Sequence, residues 1–557
     1  MVVFKTKKWL EDEEFQEILK IADYMGYENG YKKFVFNISK AIKNGYFLGD
    51  VLNLIEDLGL EVEGSLKELE KEYSLASATI KWDSSRSLVL LEMPRSIYAA
   101  LRRELEKLVC GAVRELGEAV EMEIAPYKAR EVVKYLKGLG ITVEDPQKLV
   151  AEKPLAIKPT LQKVELRPYQ KEALSKWLEN RGSGIIALPT GSGKSLIAVA
   201  AIVETSVKTL IVAYTKEQVY QWRDFILKYT TIPSSMIGLF HSDEKKLAPI
   251  TISTYQSAFR NMGLLAPHFD MIVVDEVHHL PADKFKYIAY HNLARFKMGL
   301  SATPDREDGK HHELFPLLGG VVYYKTPSEL VEQGYLAPYE VRTVKVELAL
   351  DERMEYIKLR KRIEELVKML PENVRSITNA RERFKRLLEE ARRGNTIAME
   401  ILKLYSSLRM LVAQSRAKTS KAIELALREY ENGNKVIVFT QYVDQAERIA
   451  RETGGYLLTG EVAEQERKRI LEEFKNLRRG ILVVTTVGDE GIDIPDANVG
   501  IIVSGTGSKR QFVQRLGRLL RPKPGGQKAI LYEIVAKRTF EVYQAARRRT
   551  MDLDELG

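Results

Sequence analysis

A short glycine-rich segment, placed after an apolar run and before a helix-like run, constrains this chain more than any other feature. Residues 188–195 read Leu-Pro-Thr-Gly-Ser-Gly-Lys-Ser. Gly191 and Gly193 let the backbone turn so that successive N–H groups point at one anion, and the start of the following helix adds a favourable dipole. Lys194 supplies a charge for β- and γ-phosphates, and the Ser195 hydroxyl can bind magnesium. The segment predicts a phosphate-binding loop, although leucine stands where the usual pattern has its first glycine. The alternative is a chance glycine turn before a helix.

A second segment joins an apolar strand to two acids. Residues 271–278 read Met-Ile-Val-Val-Asp-Glu-Val-His. Asp275, at the carboxyl end of the strand, can hold magnesium through water, and Glu276 can orient or deprotonate an attacking water. Such a turn is common by itself, but after a phosphate loop it predicts hydrolysis of a nucleoside triphosphate. We expect His278 to couple this site to the loop at 301–304 or to a neighbouring lobe.

A basic segment near the end of the chain is the third element. Gln514, Arg518 and Arg521 fall at helical spacing and therefore share one face. Guanidinium groups that face a γ-phosphate stabilise the charge that develops during its transfer. The alternative for this segment alone is an ordinary basic amphipathic helix.

Two series of apolar strands separated by helices predict an α/β fold with two parallel-sheet lobes. The first series is predicted at 184–188, 209–212, 250–253, 271–274 and 297–300. The second is predicted at 435–439, 456–458, 480–484, 499–503 and 529–534.

The remaining segments differ in composition and periodicity. Residues 1–75 show helical spacing, and the next segment predicts two strands, a long helix at 96–116, a further strand, a helix and a short strand. Residues 351–430 carry 19 Lys and Arg against 12 Asp and Glu, and no strand pattern occurs in them. The predicted domains are a helical module at 1–75, a small α+β domain at 76–150, a first lobe at 163–345, a basic helical insertion at 350–422 and a second lobe at 425–545.

Bulk properties exclude several classes of protein. Cys110 is the single cysteine, so an intrachain disulfide and a cysteine-based zinc cluster cannot form. No secretory leader and no apolar run of membrane-spanning length occur, which predicts a protein without membrane partners in the cytoplasm or nucleoid. The net charge of +9 permits a polyanionic partner. Abundant Lys, Arg and Glu with little Cys suggest a prokaryotic thermophile. All seven histidines fall between 241 and 312, but their spacing does not favour a metal site.

With these residues in view, the chain resembles the superfamily 2 helicases over about residues 160–540, and within them the XPB family. Arg306, Glu307 and Asp308 match that family's RED motif, and residues 487–498 resemble its fifth motor motif. The basic insertion lies where XPB relatives carry a thumb-like insertion. The small α+β domain resembles, by layout, their damage-recognition domain.

The resemblance implies two RecA-like lobes with ATP bound between them, and it assigns roles to particular residues. Residues 167–170 resemble an adenine-reading segment. Residues 214–222 and 253–257 resemble strand-contacting loops, and 439–441 and 485–486 resemble their counterparts in the second lobe. The implied ATP-binding residues are Arg167, Gln170, Thr190, Gly191, Ser192, Gly193, Lys194, Ser195, Gly491 and Asp493. The implied catalytic residues are Lys194, Asp275, Glu276, Gln514, Arg518 and Arg521, with Ser195 and Asp275 for magnesium. The implied DNA-binding or coupling residues are His278, Thr303, Arg306, Glu307, Asp308 and Gln441.

By this resemblance the chain is expected to use ATP and Mg²⁺ to open duplex DNA with 3′→5′ polarity, during nucleotide excision repair or transcription. Its expected partners are single-stranded or forked DNA and, in addition, a nuclease or a transcription or repair factor. Two alternatives stay open: a translocase on double-stranded DNA that never separates strands, and a scaffold whose ATPase acts as a switch. An RNA helicase is less favoured, because the RED triplet and the insertion are typical of relatives that act on DNA.

Overall fold

The computed structural model of the chain describes residues 2–280, 283–302, 310–485, 497–504 and 528–550. The chain divides into two compact units. One comprises Met1–Ala187 and Ser195–Tyr324, and the other comprises Leu188–Lys194 and Lys325–Gly557. In the described part of the chain, we find no helix with the length and apolar character needed to cross a membrane.

The N-terminal module is not purely helical, and the sequence prediction for it was incomplete. It contains an antiparallel sheet in the order β2-β3-β1-β4, with β1 at Val3–Thr6, β2 at Ala22–Glu28, β3 at Tyr31–Phe36 and β4 at Glu61–Glu63. Its helices are α1 at Asp12–Leu19, α2 at Ile38–Lys43, α3 at Leu48–Asp57 and α4 at Leu66–Leu75. Phe4, Phe34 and Phe36 are buried at alternating strand positions, a period-two pattern too short to stand out in a lysine-rich stretch.

The small α+β domain follows with a sheet in the order β7-β8-β6-β5-β9. Its elements are β5 at Ser77–Asp83, β6 at Leu88–Pro94, α5 at Arg95–Leu105, β7 at Val109–Leu116, β8 at Ala119–Ile124, α6 at Ala129–Gly138 and β9 at Thr142–Glu144. The predicted helix at 96–116 was too long. It ends at Leu105, because the residues that follow pair antiparallel with β8 across a turn at Gly117, whose φ is +65°.

The first lobe contains a seven-stranded sheet in which every pairing is parallel, in the order β12-β13-β11-β14-β15-β10-β16. Its strands are β10 at Ser183–Ala187, β11 at Thr209–Ala213, β12 at Ile237–Phe240, β13 at Ile250–Thr254, β14 at Met271–Val274, β15 at Phe296–Ser301 and β16 at Val321–Tyr324. The helices are α7 at Pro168–Glu179, α8 at Lys194–Thr205, α9 at Lys216–Tyr229, α10 at Tyr255–Leu265, α11 at Asp283–Tyr290 and α12 at Phe315–Leu318. The five predicted strands are confirmed, and β12 and β16 were missed.

The second lobe also has an all-parallel sheet, in the order β17-β22-β21-β18-β20-β19. Its strands are β17 at Tyr339–Val346, β18 at Lys435–Thr440, β19 at Tyr456–Leu458, β20 at Gly480–Thr485, β21 at Val499–Ile502 and β22 at Ala529–Ala536. The prediction had placed residues up to 345 in the first lobe. That boundary was wrong, because β17 pairs along its whole length with β22.

Residues between β17 and β18 are helical, as the sequence predicted. The helices from residue 327 onward are α13 at Pro327–Glu332, α14 at Leu350–Lys368, α15 at Glu372–Arg375, α16 at Ala380–Arg392, α17 at Thr396–Ala413, α18 at Arg416–Glu431, α19 at Val443–Thr453, α20 at Glu464–Asn476 and α21 at Phe540–Thr550. Helices α14, α16 and α17 bury a small core that includes Ile363, Leu387 and Ile401. Their charged side chains therefore remain on the outside of the insertion.

The small α+β domain and the first lobe share one continuous hydrophobic core. The Trp82 indole donates to the Gly263 carbonyl at 2.7 Å. A Cβ on Gly263 would lie 2.0 Å from the Ser84 carbonyl oxygen, so the close approach requires glycine. Arg130 also binds Asp270, whose side chain is fully buried. The small domain is thus held firmly against the first lobe.

Lys297 on β15 gives a stability prediction at this junction. Its ammonium lies 5.7 Å from the Tyr127 ring centre, and burial, together with the like charge of Arg130, lowers the pKa of Lys297 to about 8. We expect Lys297→Met to stabilise the protein at pH 7 by roughly 2 kcal/mol, because a poorly solvated charge is removed. The folded state binds fewer protons than the unfolded state between pH 8 and the ordinary lysine value of 10.5. Wild-type stability should therefore rise with pH across that window, and the variant should lack this rise.

Denaturant unfolding at pH 7 and pH 10 measures both effects. Lys176→Met is the matched control, because Lys176 is exposed on α7 and should change stability little. A Lys297→Met protein that is less stable than wild type at pH 7 would contradict the prediction.

Candidate functional site

The phosphate loop follows β10 directly. Gly191 and Gly193 have φ values of +87° and +82°, which are unfavourable for residues with a side chain. Helix α8 begins at Lys194, and the Lys194 ammonium donates to the carbonyls of Leu188 at 2.8 Å and Pro189 at 3.3 Å. The lysine is 9% exposed. Its charge is therefore held inside the loop.

The loop's side chains fit a phosphate group. The Thr190 hydroxyl is buried and lacks a hydrogen-bond partner in the part of the chain that the structure describes. A buried donor of this kind is costly unless something accepts its proton. Together with the Lys194 ammonium and the start of α8, it forms a donor set of the type that binds phosphate oxygens. The Ser195 hydroxyl, on the first turn of α8, suits magnesium, which prefers oxygen ligands.

The acidic box begins where β14 ends. The backbone N–H of Asp275 donates to the Val212 carbonyl at 2.9 Å, which continues the pairing with β11. One carboxylate oxygen of Asp275 accepts from the Glu276 N–H at 3.0 Å, and the other accepts from the Trp222 indole at 2.9 Å. Two protein donors therefore fix the plane of this carboxylate.

Glu276 adopts a backbone conformation that is rare for residues with a side chain, with φ +47° and ψ +51°. The buried Tyr255 hydroxyl donates to the carbonyl of Asp275 at 2.9 Å and lies 3.3 Å from that of Glu276. The Glu276 carboxylate lies 3.2 Å from Nδ1 of His278, and His278 is 3% exposed. Strain of this kind is retained where the surroundings enforce it, often at functional sites. Here the tyrosine and the histidine hold the glutamate in one orientation.

The predicted adenine-reading residues form a helix cap. The side-chain oxygen of Gln170 accepts from the Arg167 N–H at 2.9 Å, and Pro168 opens helix α7 between them. Gln170 is 3% exposed. The cap fixes the amide at the beginning of α7.

The predicted contact residues of the second lobe differ in exposure. The Gln441 side chain is exposed, and its backbone N–H donates to the Ser504 hydroxyl at 2.9 Å. Thr485, in contrast, is buried at the end of β20.

Several predicted residues lie outside the part of the chain that the structure describes. They are Thr303, Arg306, Glu307, Asp308, Thr486, Gly491, Asp493, Gln514, Arg518 and Arg521.

Two residues that contact the acidic box lie in segments that the family resemblance assigns to DNA contact. Trp222 and Tyr255 lie in the predicted strand-contacting segments, yet they are 3% and 1% exposed and bond to the acidic box instead. Their segments follow β11 and β13, and the sheet order β13-β11-β14 brings these strands beside the box. No spacing in the sequence indicates that order.

Two family models match the chain. The model described as "Type III restriction enzyme, res subunit" matches residues 163–306, which contain the phosphate loop and the acidic box. The model described as "ERCC3/RAD25/XPB C-terminal helicase" matches residues 395–555, which contain the basic segment at 514–521.

Curated relatives match over much of the chain. The DNA 3'-5' translocase XPB2 of Sulfurisphaera tokodaii is 36% identical over 76% of this chain and 92% of its own length. The DNA 3'-5' helicase XPB of Kineococcus radiotolerans is 30% identical over 84% of this chain and 76% of its own length. The general transcription and DNA repair factor IIH helicase/translocase subunit XPB of Schizosaccharomyces pombe is 30% identical over 72% of this chain and 47% of its own length.

Proposed function

We propose that this chain, which belongs to the XPB family of superfamily 2 DNA helicases, moves along DNA with 3′→5′ polarity and opens duplex DNA in nucleotide excision repair or transcription. The chain is an ATP-hydrolysing DNA helicase or translocase. The observation that carries the proposed hydrolysis is the acidic box, in which a fixed aspartate adjoins a strained and oriented glutamate. The names of the relatives support the proposed polarity and the proposed role in repair or transcription.

Residues beside the first lobe's sheet have separate proposed roles in ATP hydrolysis. Magnesium ATP supplies the phosphoryl group whose transfer to water releases the free energy for movement. Lys194 and Ser195 would hold the phosphates and the magnesium, and Asp275, after the carboxyl end of β14, would supply a further oxygen ligand for the magnesium. Glu276 orients the attacking water and takes its proton, and His278 keeps the glutamate in place. By the family resemblance, the remaining predicted nucleotide residues would contact ATP, and the basic segment near the end of the chain would stabilise the transferred charge. The nucleotide residues are Arg167, Gln170, Thr190, Gly191, Ser192, Gly193, Gly491 and Asp493, and the basic segment contributes Gln514, Arg518 and Arg521.

Contacts to DNA come from the ends of strands. We propose that the segments 214–222 and 253–257 in the first lobe and Gln441 in the second contact DNA through their exposed residues, which include Tyr214, Gln256 and Gln441. Polar side chains and backbone N–H groups of this kind suit phosphate and sugar without reading bases. Residues 351–430 carry a net +7 from 19 basic and 12 acidic side chains. We propose that this insertion strengthens backbone binding in a salt-dependent way. The coupling residues Thr303, Arg306, Glu307 and Asp308 complete the proposed set.

The rate of ATP hydrolysis with different polymers tests the proposal. The rates are measured without polymer and with single-stranded DNA, forked DNA and RNA of equal length. We expect forked or single-stranded DNA to stimulate hydrolysis at least tenfold more than RNA does. Equal stimulation by RNA would contradict the DNA assignment.

A double-stranded DNA translocase is the second candidate, since the Sulfurisphaera tokodaii relative carries the name translocase. A helicase separates a labelled strand from a fork, whereas a pure translocase displaces only a third strand from a triplex. Measuring both reactions with one preparation distinguishes the two candidates.

A protein partner forms a further part of the proposal. The Schizosaccharomyces pombe relative is named as a subunit of a transcription and repair factor. We propose that this chain likewise works with a nuclease or a transcription or repair factor in the nucleoid. Its N-terminal module and small α+β domain are the candidate contact surfaces, and the small domain is the candidate damage-recognition domain.

A further inference from the structure

We propose that Trp222, Tyr255 and Tyr214 transmit DNA binding to the acidic box. All three belong to the segments at 214–222 and 253–257, and each contacts a residue of the box at 275–279. The inference deepens the proposed function and rests on it, because it takes these segments to contact DNA.

The first link runs through helix α9. Its N-terminal cap lies in the segment at 214–222, which we propose to contact DNA. The Thr215 hydroxyl accepts from the Gln218 N–H, and the Gln218 side chain accepts from the N–H groups of Tyr214 and Thr215. Further along the same helix, Trp222 donates to the Asp275 carboxylate at 2.9 Å. A displacement of the cap therefore moves the donor that fixes this carboxylate, which is the proposed magnesium ligand.

The second link runs through the first residue of helix α10. The Thr254 hydroxyl caps this helix by accepting from the Ser257 N–H at 3.3 Å. Tyr255, next in the chain, is 1% exposed, and its hydroxyl donates to the backbone of the acidic box. This hydroxyl contacts two consecutive carbonyl groups, at 2.9 Å from that of Asp275 and 3.3 Å from that of Glu276. The Tyr255 hydroxyl thus supports the strained backbone at Glu276.

The third link reaches the surface. The Tyr214 ring stacks on the His279 ring, with centres 4.0 Å apart and an angle of 8° between the planes. Tyr214 is 36% exposed and also meets the Tyr255 ring edge-on at 6.1 Å. An aromatic cluster therefore extends without a gap from the surface at Tyr214 to the backbone of the acids.

These contacts explain why the acids should respond to DNA. Aromatic side chains that are packed in this way move together, because close-packed interiors shift between discrete arrangements and do not deform gradually. A ligand on the caps of α9 and α10 can thus change the geometry of Asp275 and Glu276 without touching either. By linkage, DNA must then change the affinity for nucleotide by the same factor as nucleotide changes the affinity for DNA.

The test measures, in conservative variants, the coupling factor, which is the factor by which DNA changes the affinity for nucleotide. Trp222→Phe removes the indole N–H, and Tyr255→Phe removes the hydroxyl, while both keep a ring. The Kd of a non-hydrolysable ATP analogue with magnesium is measured with and without forked DNA, and the DNA stimulation of ATP hydrolysis is measured in parallel. We expect the coupling factor to fall about three- to tenfold in each variant, as the loss of one such hydrogen bond implies.

The chain offers matched controls for both changes. The indole of buried Trp177 donates to the Lys297 carbonyl at 2.9 Å, and the Tyr73 hydroxyl donates to the Tyr46 carbonyl at 2.8 Å. Trp177→Phe and Tyr73→Phe lose comparable bonds that involve neither the segments at 214–222 and 253–257 nor the box at 275–279, and they should keep the wild-type factor. Tyr214→Leu, at a partly exposed position that tolerates change, should lose coupling as the two phenylalanine variants do.

The outcomes separate the inference from the function on which it rests. A wild-type protein that DNA does not stimulate would overturn the proposed function. A stimulated wild type with Trp222→Phe, Tyr255→Phe and Tyr214→Leu variants that keep the full coupling factor would overturn the aromatic link alone. An equal loss in the Trp177 and Tyr73 controls would also overturn it, because the effect would then be a general loss of packing.

Discussion

Replacement of Lys194 by alanine is expected to lower kcat/KM for ATP hydrolysis about a thousandfold in the presence of DNA. Lys194 is 9% exposed and its ammonium is held at the loop carbonyls, so it is already placed at the proposed site of the β- and γ-phosphates. Removal of a pre-placed donor from a transferring group typically costs about a hundred- to a thousandfold in rate. Lysine also contributes to ground-state binding, so KM should rise as kcat falls. Phosphate release at saturating forked DNA measures both constants.

A second lysine on the same lobe controls for the loss of a positive charge. Lys176 lies exposed on α7 and pairs with Glu179 at 3.2 Å, and Lys176→Ala should hydrolyse ATP at the wild-type rate. Thermal unfolding checks that Lys194→Ala keeps its fold. A folded Lys194→Ala protein with DNA-stimulated hydrolysis would show that the phosphate loop has been assigned wrongly.

The parts of the fold that the sequence predicted are those in which burial dominates. Strands inside a parallel sheet are covered on both faces, so each appears as an unbroken apolar run, and all ten predicted lobe strands are present. The N-terminal strands have one exposed face and short lengths, and lysines interrupt their pattern. Strand β17 was placed in the wrong lobe because its partner, β22, lies almost 200 residues later in the chain. Pairing over such a separation leaves no local signal.

In the candidate site, too, local sequence patterns could be predicted, whereas contacts that depend on strand order could not. Lys194, Asp275 and Glu276 could be predicted because each stands in a motif whose spacing reflects local geometry at the end of one strand. The partners of these residues depend on which strands are neighbours. Trp222 and Tyr255 reach the acidic box only because β11 and β13 lie beside β14 in that order. The left-handed backbone conformation of Glu276 could not be predicted either, since glutamate has no special preference for that conformation.

Glu276→Gln is expected to reduce turnover sharply while leaving nucleotide binding intact. Glutamine has the shape of glutamate and can occupy the same position beside His278, whose Nδ1 lies 3.2 Å from the present carboxylate. It cannot accept a proton from water at neutral pH. Loss of a positioned general base typically costs about a hundred- to ten-thousandfold in rate, so kcat should fall about a thousandfold. The Kd for magnesium ATP should stay within about threefold of the wild-type value.

The contrast with Lys194→Ala makes this prediction specific. The lysine variant should lose affinity for ATP, whereas the glutamine variant should bind ATP and remain on DNA in the nucleotide-bound state. Fluorescent-nucleotide titration and DNA retention at saturating ATP measure these two properties. Glu204→Gln, on the exposed side of α8, is the matched control and should turn over normally. A Glu276→Gln protein with a kcat within threefold of wild type would remove Glu276 as the base. The strained backbone at residue 276 would then need a different explanation. An ordinary acidic turn does not require contacts from a buried tyrosine and a buried histidine.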